Sequence, residues 1–430
     1  MRASLRSHVD RDRGELAAAY EHVRSATERL CADLSPEVCT AQSMTEASPV
    51  KWHLAHTSWF FETFVLSASV RGYEPFHPEF SYLFNSYYNA IGERVARSER
   101  GLLTRPTLEE VMAYRRHVDE RMRECIERSR PLDAAVVELG CHHEQQHQEL
   151  ILTDVKHLLS RNPLQPAFRA RGCMQRPADV APRARFIGYA EGLHELGHAG
   201  GGFAFDNESP RHRVFVHAFE LASRLATNGE ILEFIADRGY ERPELWLSDG
   251  WDAVQMHGWR APLYWQPDGE RWMQFTLAGV REVEPAEPVC HVSHYEADAF
   301  ARWAGARLPR EAEWEVAARE LPVDGNFVES GELHPLADVR VTDDASAIDA
   351  PHAMFGDVWE WTCSAYDAYP GYRPAPGALG EYNGKFMVNQ MVLRGGSCAS
   401  PRAHLRASYR NFFHPHARWQ FSGIRLARDL

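Results

Sequence analysis

Between residues 134 and 159 the apolar positions of the chain recur at steps of three and four. This spacing places them on one face of an α-helix, which turns once every 3.6 residues. The same face carries two histidines, His143 and His147, one helical turn apart. Its members are Val136, Leu139, His143, Gln146, His147, Leu150, Val155 and Leu158. The pattern predicts a helix that points two imidazoles toward an apolar core.

Two histidines at this spacing offer two imidazoles to one metal ion. An ordinary helix with buried, hydrogen-bonded histidines has the same pattern, so spacing alone does not decide between the two. The apolar neighbours favour a metal site, because a core has little use for two unpaired imidazoles unless something binds them.

Three more helices are predicted before residue 160 from the same kind of spacing. The first covers about Leu16–Cys31, and the third runs from an N-cap at Thr107 to Glu127. The second begins at Ser48-Pro49, an N-cap residue followed by proline at the first helical position, and continues through Phe64. Together the four helices predict a four-helix bundle.

The second helix carries a stripe that places a third histidine on the core face. Its members are Trp52, His56, Trp59, Phe60 and Thr63. His53 lies about a quarter-turn off this stripe and is the weaker candidate for a ligand. Bundles build metal sites from side chains that project inward from facing helices. We therefore predict that His56, His143 and His147 are metal ligands.

After residue 162 helical periodicity gives way to closely spaced glycine, tryptophan and turn residues. Residues 163–185 lack apolar periodicity and are predicted to link a helical domain at 1–162 to a second domain at 186–430. Turns are predicted at Asp249-Gly250-Trp251 and Gly258-Trp259, among others. Helices are predicted at Thr227–Asp237, Ser293–Ala304 and Arg310–Ala318. The second domain is thus predicted to be an irregular α+β domain with many loops.

Composition narrows the class of protein. The net charge of −13 over 430 residues argues against nucleic acid or an anionic membrane as a partner. No run has the length of a membrane span and no charged-then-apolar leader opens the chain, so a cytoplasmic protein is expected. The eight cysteines are scattered without a CxxC pair, as expected of reduced thiols.

Several motifs resemble known domains. Leu54-Ala55-His56 and His143-Glu144-Gln145-Gln146-His147 resemble a DinB-type helical bundle. Four motifs of the second half resemble the formylglycine-generating-enzyme (sulfatase-modifying-factor) domain, a C-type-lectin-like fold: Gly356–Thr362, Val392–Ser397, Arg410–Phe413 and Ser422–Leu426. This order of domains resembles the ergothioneine-biosynthesis sulfoxide synthases, also called hercynine oxygenases.

The resemblance implies a mononuclear, non-haem Fe(II) oxidoreductase. Such an enzyme joins the sulfur of cysteine or γ-glutamylcysteine to the imidazole C2 of hercynine (Nα-trimethylhistidine), uses O2, and leaves a sulfoxide. Three histidines on one face of an iron leave three positions open, enough for a thiolate, the substrate imidazole and O2. A zinc hydrolase would need only one open position, for water.

The implied reaction needs a proton donor or a phenol near the oxygen that is reduced. Tyr87 and Tyr88, in a loop of the first domain, are the favoured candidates, because the Asn85–Asn89 stretch resembles the subgroup that uses this loop. Some members of the family place the tyrosine in the second domain instead, and Tyr382 is the alternative of that kind.

The resemblance also suggests substrate contacts. Gln146 matches the motif position that contacts substrate in the family. The trimethylammonium group of hercynine cannot donate hydrogen bonds and needs an aromatic surface, which Phe412 and Phe413 would supply, with Asn411 available for the carboxylate or imidazole. Candidates for holding the carboxylate of the thiol substrate are Arg94, Arg97 and Arg418.

The second domain departs from oxidases of the formylglycine type, because the copper-binding cysteine pair of those enzymes is not found. Cys363 and Cys398 are separately placed and are predicted to be buried thiols. Asp357 and Glu360 are candidates for a structural calcium ion, although capping and turn roles are favoured. Catalysis by the second domain alone is therefore not expected.

Other functions stay open on the sequence. One is a histidine-using synthase of the ovothiol type, which usually carries a methyltransferase domain for which this chain ends too early. Another is a zinc-dependent DinB-type thiol transferase or hydrolase, and a third is a lectin-like binding protein with a structural histidine cluster. The sulfur donor is undecided, and a homo-oligomer is neither predicted nor excluded.

Overall fold

The structure, a computed structural model, describes residues 2–127, 132–169, 181–337 and 350–430, and for residues 2–12 the backbone alone. Contacts divide the chain into one unit of Met1–Arg161 with Pro376–Tyr382 and a second of Asn162–Ala375 with Asn383–Leu430. The first unit is helical and the second is built on β-sheets, which confirms the predicted pair of fold classes. Part of the predicted linker, 170–180, lies outside the described residues.

The helical unit is organised around four long helices. α1 packs on α7, and α3 packs on both α6 and α7, so that α1, α3, α6 and α7 form a bundle. The helices are α1 (Arg2–Cys31), α2 (Pro36–Thr40), α3 (Val50–Phe61), α4 (Ser67–Ser69), α5 (Phe80–Phe84), α6 (Leu108–Glu127) and α7 (Ala134–Ser160), with a π-helical turn at Glu62–Leu66 and a 3₁₀ turn at Arg97–Leu102.

The predicted N-cap of α6 was correct, whereas that of α3 was one position off. At α6 the Glu110 amide donates to the Thr107 hydroxyl at 3.2 Å, and the Thr107 amide donates to the Glu110 carboxylate at 2.6 Å, which is a capping box. At α3 the N-cap is Pro49, one position later than predicted. Ser48 is not available as a cap because its hydroxyl accepts from Arg100 at 2.8 Å.

The π-helical turn after α3 surrounds a buried carboxylate. Glu62 accepts hydrogen bonds from the hydroxyls of Tyr114 at 2.6 Å and Tyr73 at 2.8 Å, and from the Phe76 amide at 2.9 Å. These bonds tie the loop that leads into α5 to the end of α3. The predicted helix ran straight through this turn to Phe64, because periodicity does not reveal a one-residue change of pitch.

The described residues of the second unit form four sheets. Their strand orders are β1-β4-β12, β10-β9-β8-β11, β2-β3 and β5-β6-β7, and β8 and β11 pair in parallel whereas the other named pairs are antiparallel. The strands are β1 (Phe186–Tyr189), β2 (Gly192–Leu196), β3 (His212–Val216), β4 (Phe219–Ala222), β5 (Trp265–Asp268), β6 (Arg271–Thr276), β7 (Gly279–Glu282), β8 (Trp359–Ala365), β9 (Met391–Arg394), β10 (Asn411–Phe413), β11 (Ser422–Gly423) and β12 (Ala427–Asp429).

Helices of the second unit lie between these strands. They are α8 (Asn228–Ala236), α9 (Ser248–His257), α10 (His294–Trp303) and α11 (Glu311–Ala318), with 3₁₀ turns at Asp206–Glu208, Gly239–Glu241, Pro243–Leu245, Val328–Ser330 and Arg402–His404. The 3₁₀ turn at Ala378–Gly380 and the first two residues of α12 (Glu381–Gly384) belong to the Pro376–Tyr382 segment of the helical unit. The three helices predicted from the sequence correspond to α8, α10 and α11. The predicted turn at Asp249-Gly250-Trp251 was wrong, because these residues lie inside α9. Gly250 is needed there for packing, since a Cβ at this position would come within 2.8 Å of the Tyr295 Cβ.

Glu360 and Asp357 of the second unit both accept hydrogen bonds within the fold. Glu360 on β8 is buried and accepts from Arg425 at 2.8 Å and from the Trp314 indole at 2.8 Å. Asp357 accepts from the Asn326 side chain at 2.8 Å and from the Leu336 amide at 2.9 Å. Within the described parts of the chain, no helix combines the length and the apolar character needed to cross a bilayer.

Candidate metal centre

Three buried histidines from two helices converge in the helical unit. His56 comes from α3, and His143 and His147 come from α7. One nitrogen of each ring can be chosen so that all three atoms lie within 4.8 Å of one another. No other group of three or more histidine, cysteine, aspartate or glutamate side chains meets this spacing among the described residues. The structure thus brings together the three residues that the sequence predicted as ligands.

The close approach of α3 and α7 depends on a glycine one turn before His143. A Cβ on Gly140 would lie 2.5 Å from the Phe61 ring and 2.9 Å from the Phe60 ring. Because no side chain stands between them, the two backbones come near enough for His56 and His143 to meet. The Nε2 atoms of these two rings are 3.2 Å apart.

The His56–His143 pair has the spacing expected of two ligands on one metal ion. Two imidazole nitrogens at right angles around an ion, each about 2.1 Å away, are separated by about 3.0 Å, close to the spacing of the two Nε2 atoms. His56 Nδ1 lies 2.6 Å from the Phe84 carbonyl oxygen. A carbonyl only accepts, so Nδ1 carries the proton and Nε2 presents its lone pair to the centre.

Stacked aromatic rings fix the orientation of two of the three imidazoles, those of His56 and His143. The Trp52 ring lies 4.5 Å from the His56 ring with an interplanar angle of 15°, and Trp59 stacks on His56 at 5.4 Å. Phe60 stacks on His143 at 4.8 Å. These rings also surround the imidazoles with apolar surface, which limits access of water.

Burial keeps the three imidazoles neutral. It lowers the pKa of His143 to about 4 and the pKa values of His56 and His147 well below the ordinary value for histidine. A metal ligand must be unprotonated, so these residues are ready to bind an ion at neutral pH.

The same pKa shifts predict that acid destabilises the metal-free protein. Unfolded histidines take up protons as the pH falls below about 6.5, whereas the buried ones do not, so the unfolded state binds more protons and stability must fall with pH. We expect the free energy of unfolding to drop between pH 7 and pH 5 by up to about 1.4 kcal/mol per pH unit for each buried ligand histidine. Urea titrations of chelated protein at several pH values measure it.

His143→Gln is the matched variant for this experiment, because glutamine does not titrate in this range. Its stability should change less steeply with pH than that of the parent chain. Equal slopes in the two proteins, or stability that does not change between pH 7 and pH 5, would contradict the assignment of neutral buried ligands.

A buried ion-pair network lies beside the histidines on α7. Glu144 accepts from Arg24 at 2.8 Å and from Arg115 at 3.0 Å, and its side chain is fully buried. Arg24 also donates to Asp119 at 2.7 Å, and Asp119 accepts from the Tyr20 hydroxyl at 2.6 Å. Burial raises the pKa of Glu144, but the two guanidinium groups outweigh it and hold the value near 2. The network joins α1, α6 and α7 and was not predicted from the sequence.

One further histidine, His53, contacts the triad, although the sequence made it the weaker candidate for a ligand. His53 is buried, with Nδ1 2.7 Å from His147 Nδ1 and Nε2 3.0 Å from Asp154 Oδ2. It lies outside the converging triad but in direct contact with one of its members. The only sequence signal for it was an extra histidine and an aspartate on the two helices that carry the ligands.

The tyrosine loop after α5 lies next to the histidines. The Ser86 hydroxyl is 3.5 Å from His56 Nε2, which places this loop at the centre. Tyr88 is buried, with its ring 5.6 Å from Trp59, and burial raises its pKa. The Tyr87 hydroxyl accepts a hydrogen bond from Arg97 at 3.1 Å.

Tyr382 belongs to the helical unit by its contacts, although it lies far along the chain. Its ring is 6.3 Å from the Tyr87 ring, and burial raises its pKa. The preceding residue, Glu381, accepts hydrogen bonds from the Asn89 amide at 2.9 Å and the Ala90 amide at 2.8 Å. The structure therefore brings Tyr87 and Tyr382, two of the three candidate tyrosines, together, and Glu381 anchors the loop that carries Tyr87.

The remaining candidates of the helical unit differ in exposure. Arg94 is exposed and donates to the Asn89 side chain, whereas Arg97 is half-buried and reaches Tyr87. Gln146 is half-buried on α7.

The candidates of the second unit lie on or near β10. Asn411, Phe412 and Phe413 form this strand and are half-buried, and the Phe412 ring stacks on Tyr366 at 4.1 Å. Arg418 is buried and donates to Glu296 at 2.7 Å. Its charge is therefore neutralised within the fold.

The two cysteines singled out in the sequence are both free thiols. Cys398 is buried as predicted, but the prediction was wrong for Cys363, which is exposed. Cys363 lies in the half of β8 where burial gives way to solvent exposure, and the sequence does not show where along a strand this change occurs.

Comparisons with known proteins match both units. Residues 19–151 match the sequence model of the DinB superfamily, and residues 176–347 and 345–430 match that of the sulfatase-modifying factor enzyme 1-like domain. The chain is 36% identical to a hercynine oxygenase of Mycolicibacterium smegmatis, across 67% of this chain and 70% of that protein. It is 33% identical to a hercynine oxygenase of Mycobacterium tuberculosis, across 97% of this chain and 99% of that protein. Ergothioneine biosynthesis protein 1 of Schizosaccharomyces pombe is 26% identical, across 53% of this chain and 28% of that protein.

Proposed function

The chain belongs to the hercynine oxygenase family, and on that premise we propose that it is an Fe(II)- and O2-dependent sulfoxide synthase of ergothioneine biosynthesis. It joins the imidazole C2 of hercynine to the sulfur of cysteine or γ-glutamylcysteine. The observation that carries the proposal is the set of three buried imidazoles, His56, His143 and His147, whose nitrogens converge from two helices.

The atoms and electrons of this reaction balance with O2 as the sole oxidant. The C2–H bond of hercynine and the S–H bond of the thiol are broken, and a C–S bond and an S–O bond are formed. The second oxygen atom leaves as water with the two hydrogens. O2 therefore accepts four electrons in total, two for the C–S bond and two for the sulfoxide.

The ligand set suits iron. The three histidines would hold the ion on one side, and Fe(II) when bound supplies open positions for the thiolate and O2 together with redox chemistry that Zn(II) lacks. The chain contributes neutral nitrogen ligands, apolar walls of Trp52 and Phe60, and a loop of tyrosines beside the site.

Proton delivery to the oxygen that leaves as water is the task we assign to Tyr87. Its hydroxyl is held by Arg97 at 3.1 Å, and Tyr382 packs against its ring. Tyr88, the other favoured tyrosine, has its ring packed against Trp59 and Phe64 in the interior. On these contacts we favour Tyr87 as the proton donor, Tyr382 as its packing partner and Tyr88 as part of the apolar lining.

Three phenylalanine variants test this division. Loss of a general acid costs about 10²- to 10⁴-fold in rate, so kcat of Tyr87→Phe should fall by that amount while its metal content is unchanged. Tyr88→Phe should keep kcat within about tenfold of the parent value, because it retains the ring that packs against Trp59 and Phe64. Rates of product formation for the three variants, measured with saturating substrates, check it. A larger loss in Tyr382→Phe than in Tyr87→Phe would exchange the roles of the two phenols.

Substrate groups find suitable partners among the candidate residues. Phe412 and Phe413 offer aromatic surface to the trimethylammonium group, with Asn411 available for the carboxylate or imidazole of hercynine. Gln146, one residue before His147, offers an amide. For the carboxylate of the thiol substrate we favour Arg94 and Arg97 over Arg418, because Glu296 already neutralises Arg418.

The function is tested with Fe(II)-loaded protein and four substrate pairs: hercynine or histidine, each with cysteine or γ-glutamylcysteine. Oxygen uptake is followed by electrode and products by mass spectrometry. We expect a sulfoxide conjugate from hercynine with at least one thiol, formed with one O2 per product. A conjugate made preferentially from histidine would indicate the ovothiol-type reaction, and no oxygen uptake with any pair would overturn the proposal.

A further inference from the structure

A chain of hydrogen bonds runs from α7 through α3 and back to a proposed metal ligand. Asp154 Oδ2 accepts from the Ser48 amide at 2.8 Å and lies 3.0 Å from His53 Nε2. His53 Nδ1 in turn lies 2.7 Å from His147 Nδ1. Asp154, His53 and His147 are all buried.

Only one arrangement of protons satisfies this chain with a carboxylate and two neutral imidazoles. A carboxylate only accepts, so His53 Nε2 carries a hydrogen and donates it to Asp154. His53 Nδ1 is then an acceptor, and His147 Nδ1 must be the donor. A neutral imidazole has one hydrogen, so His147 Nε2 keeps its lone pair. The His147 ring lies 4.8 Å from the His56 ring and 4.6 Å from the His143 ring.

We propose that Asp154 and His53 are positioning residues, a relay that holds His147 in the Nδ1–H tautomer and aims its Nε2 at the metal. This inference rests on the proposed metal centre for its purpose, but the relay is a property of the protein by itself. The opposite tautomer would place an N–H bond between His147 and the ion and remove one ligand of three.

The three ligands are held in three different ways. The Phe84 backbone carbonyl fixes the His56 tautomer. Because the acceptor is a backbone atom, replacing the Phe84 side chain does not remove it. His143 Nδ1 has no hydrogen-bond partner among the described residues, and stacking on Phe60 orients that ring. His147 alone is fixed by a side-chain relay. Partners of this kind typically contribute a factor of 10 to 100 to metal affinity.

The relay is anchored by a buried cation at its far end. Arg100 donates to the Ser48 hydroxyl at 2.8 Å, and its guanidinium stacks 3.4 Å from the Trp52 ring centre. Trp52 in turn stacks on His56, so Arg100 is connected through Trp52 to a second proposed ligand. Ser48 thus joins Arg100 to Asp154 and fixes the position of the carboxylate.

The first test reads the tautomers directly in metal-free, full-length protein labelled with ¹⁵N-histidine. Long-range ¹H–¹⁵N correlation spectra distinguish Nδ1–H from Nε2–H rings. We expect His147 as the Nδ1–H form and His53 as the Nε2–H form, with assignment by single-histidine variants. His147 in the Nε2–H form would overturn the proposal, and the spectrum decides this whether or not the chain proves to be an oxygenase.

The second test separates positioning from packing through metal affinity, with Co(II) as an oxygen-stable probe. His53→Phe keeps the ring but removes the acceptor, so Co(II) should bind about 10- to 100-fold more weakly. His53→Asn places an amide oxygen near the former Nδ1 atom and should recover most of that loss. Equal affinities in His53→Phe and the parent chain, or equal losses in both variants, would contradict the relay. Failure of the parent chain to bind Co(II) would instead count against the proposed function.

Discussion

Replacing His143 with alanine is expected to remove both the metal and the reaction. The side chain is one of three converging ligands, and its Nε2 lies 3.2 Å from that of His56. Loss of an outer partner of a ligand already weakens metal binding by about 10- to 100-fold, so loss of the ligand itself should cost more than about 100-fold. Iron content after anaerobic loading and gel filtration, together with conjugate formation, measures both effects.

His142→Ala is the matched control, because it removes the neighbouring imidazole on the same helix. His142 lies outside the converging triad, so this variant should keep its iron and its rate. Circular dichroism should show the same helix content in both variants. If His143→Ala bound iron as tightly as the parent chain, the triad would not be the metal site.

Replacing Glu144 with alanine is expected to be the most destabilising single change in the helical unit. The carboxylate is fully buried between Arg24 and Arg115, and its removal leaves two guanidinium groups without this counter-charge in the interior. Breaking a buried pair in this way typically costs about 3–5 kcal/mol. That is a large part of the roughly 5–15 kcal/mol by which a folded domain is stable. Urea denaturation of metal-free protein at neutral pH measures the loss.

Glu28→Ala is the control for this experiment, since Glu28 contacts the same Arg115 at 3.5 Å but its side chain is 39% exposed. An ion pair with one exposed partner contributes about 0–1 kcal/mol, so this variant should be nearly as stable as the parent chain. If Glu144→Ala lost no more than Glu28→Ala, the buried network would not hold the helices together.

The sequence predicted the three converging histidines because their positions follow a local rule. His143 and His147 follow the helical repeat of α7, and His56 follows that of α3, so periodicity alone placed all three on core faces. The end of α6 at Thr107 followed from capping chemistry in the same way. Local rules of this kind need no knowledge of which helices are neighbours.

Features that depend on tertiary neighbours were not predictable in this way. His53 lies off the apolar stripe of α3, yet its two ring nitrogens contact His147 and Asp154, which both lie on α7. Glu144 was visible in the motif, but the arginines that surround it come from two other helices. Buried charges of this kind break the apolar pattern and are easily taken for surface positions.

The position of Tyr382 shows the same limit over a longer distance. The sequence made Tyr382 a second-domain alternative to Tyr87 and Tyr88, whereas contacts join Pro376–Tyr382 to the helical unit. In the structure the rings of Tyr87 and Tyr382 lie 6.3 Å apart. The structural role of Arg418 was not predictable either, because its ion-pair partner, Glu296, is distant in sequence.

The most direct test of the account compares one preparation of metal-free protein loaded with Fe(II) or with Zn(II). Each form receives hercynine, a thiol substrate and O2, and mass spectrometry follows the sulfoxide conjugate. We expect the Fe(II) form to make the conjugate and consume O2, and the Zn(II) form to do neither. Thiol transfer by the Zn(II) form without O2, together with an inactive Fe(II) form, would contradict it and indicate a zinc-dependent thiol transferase.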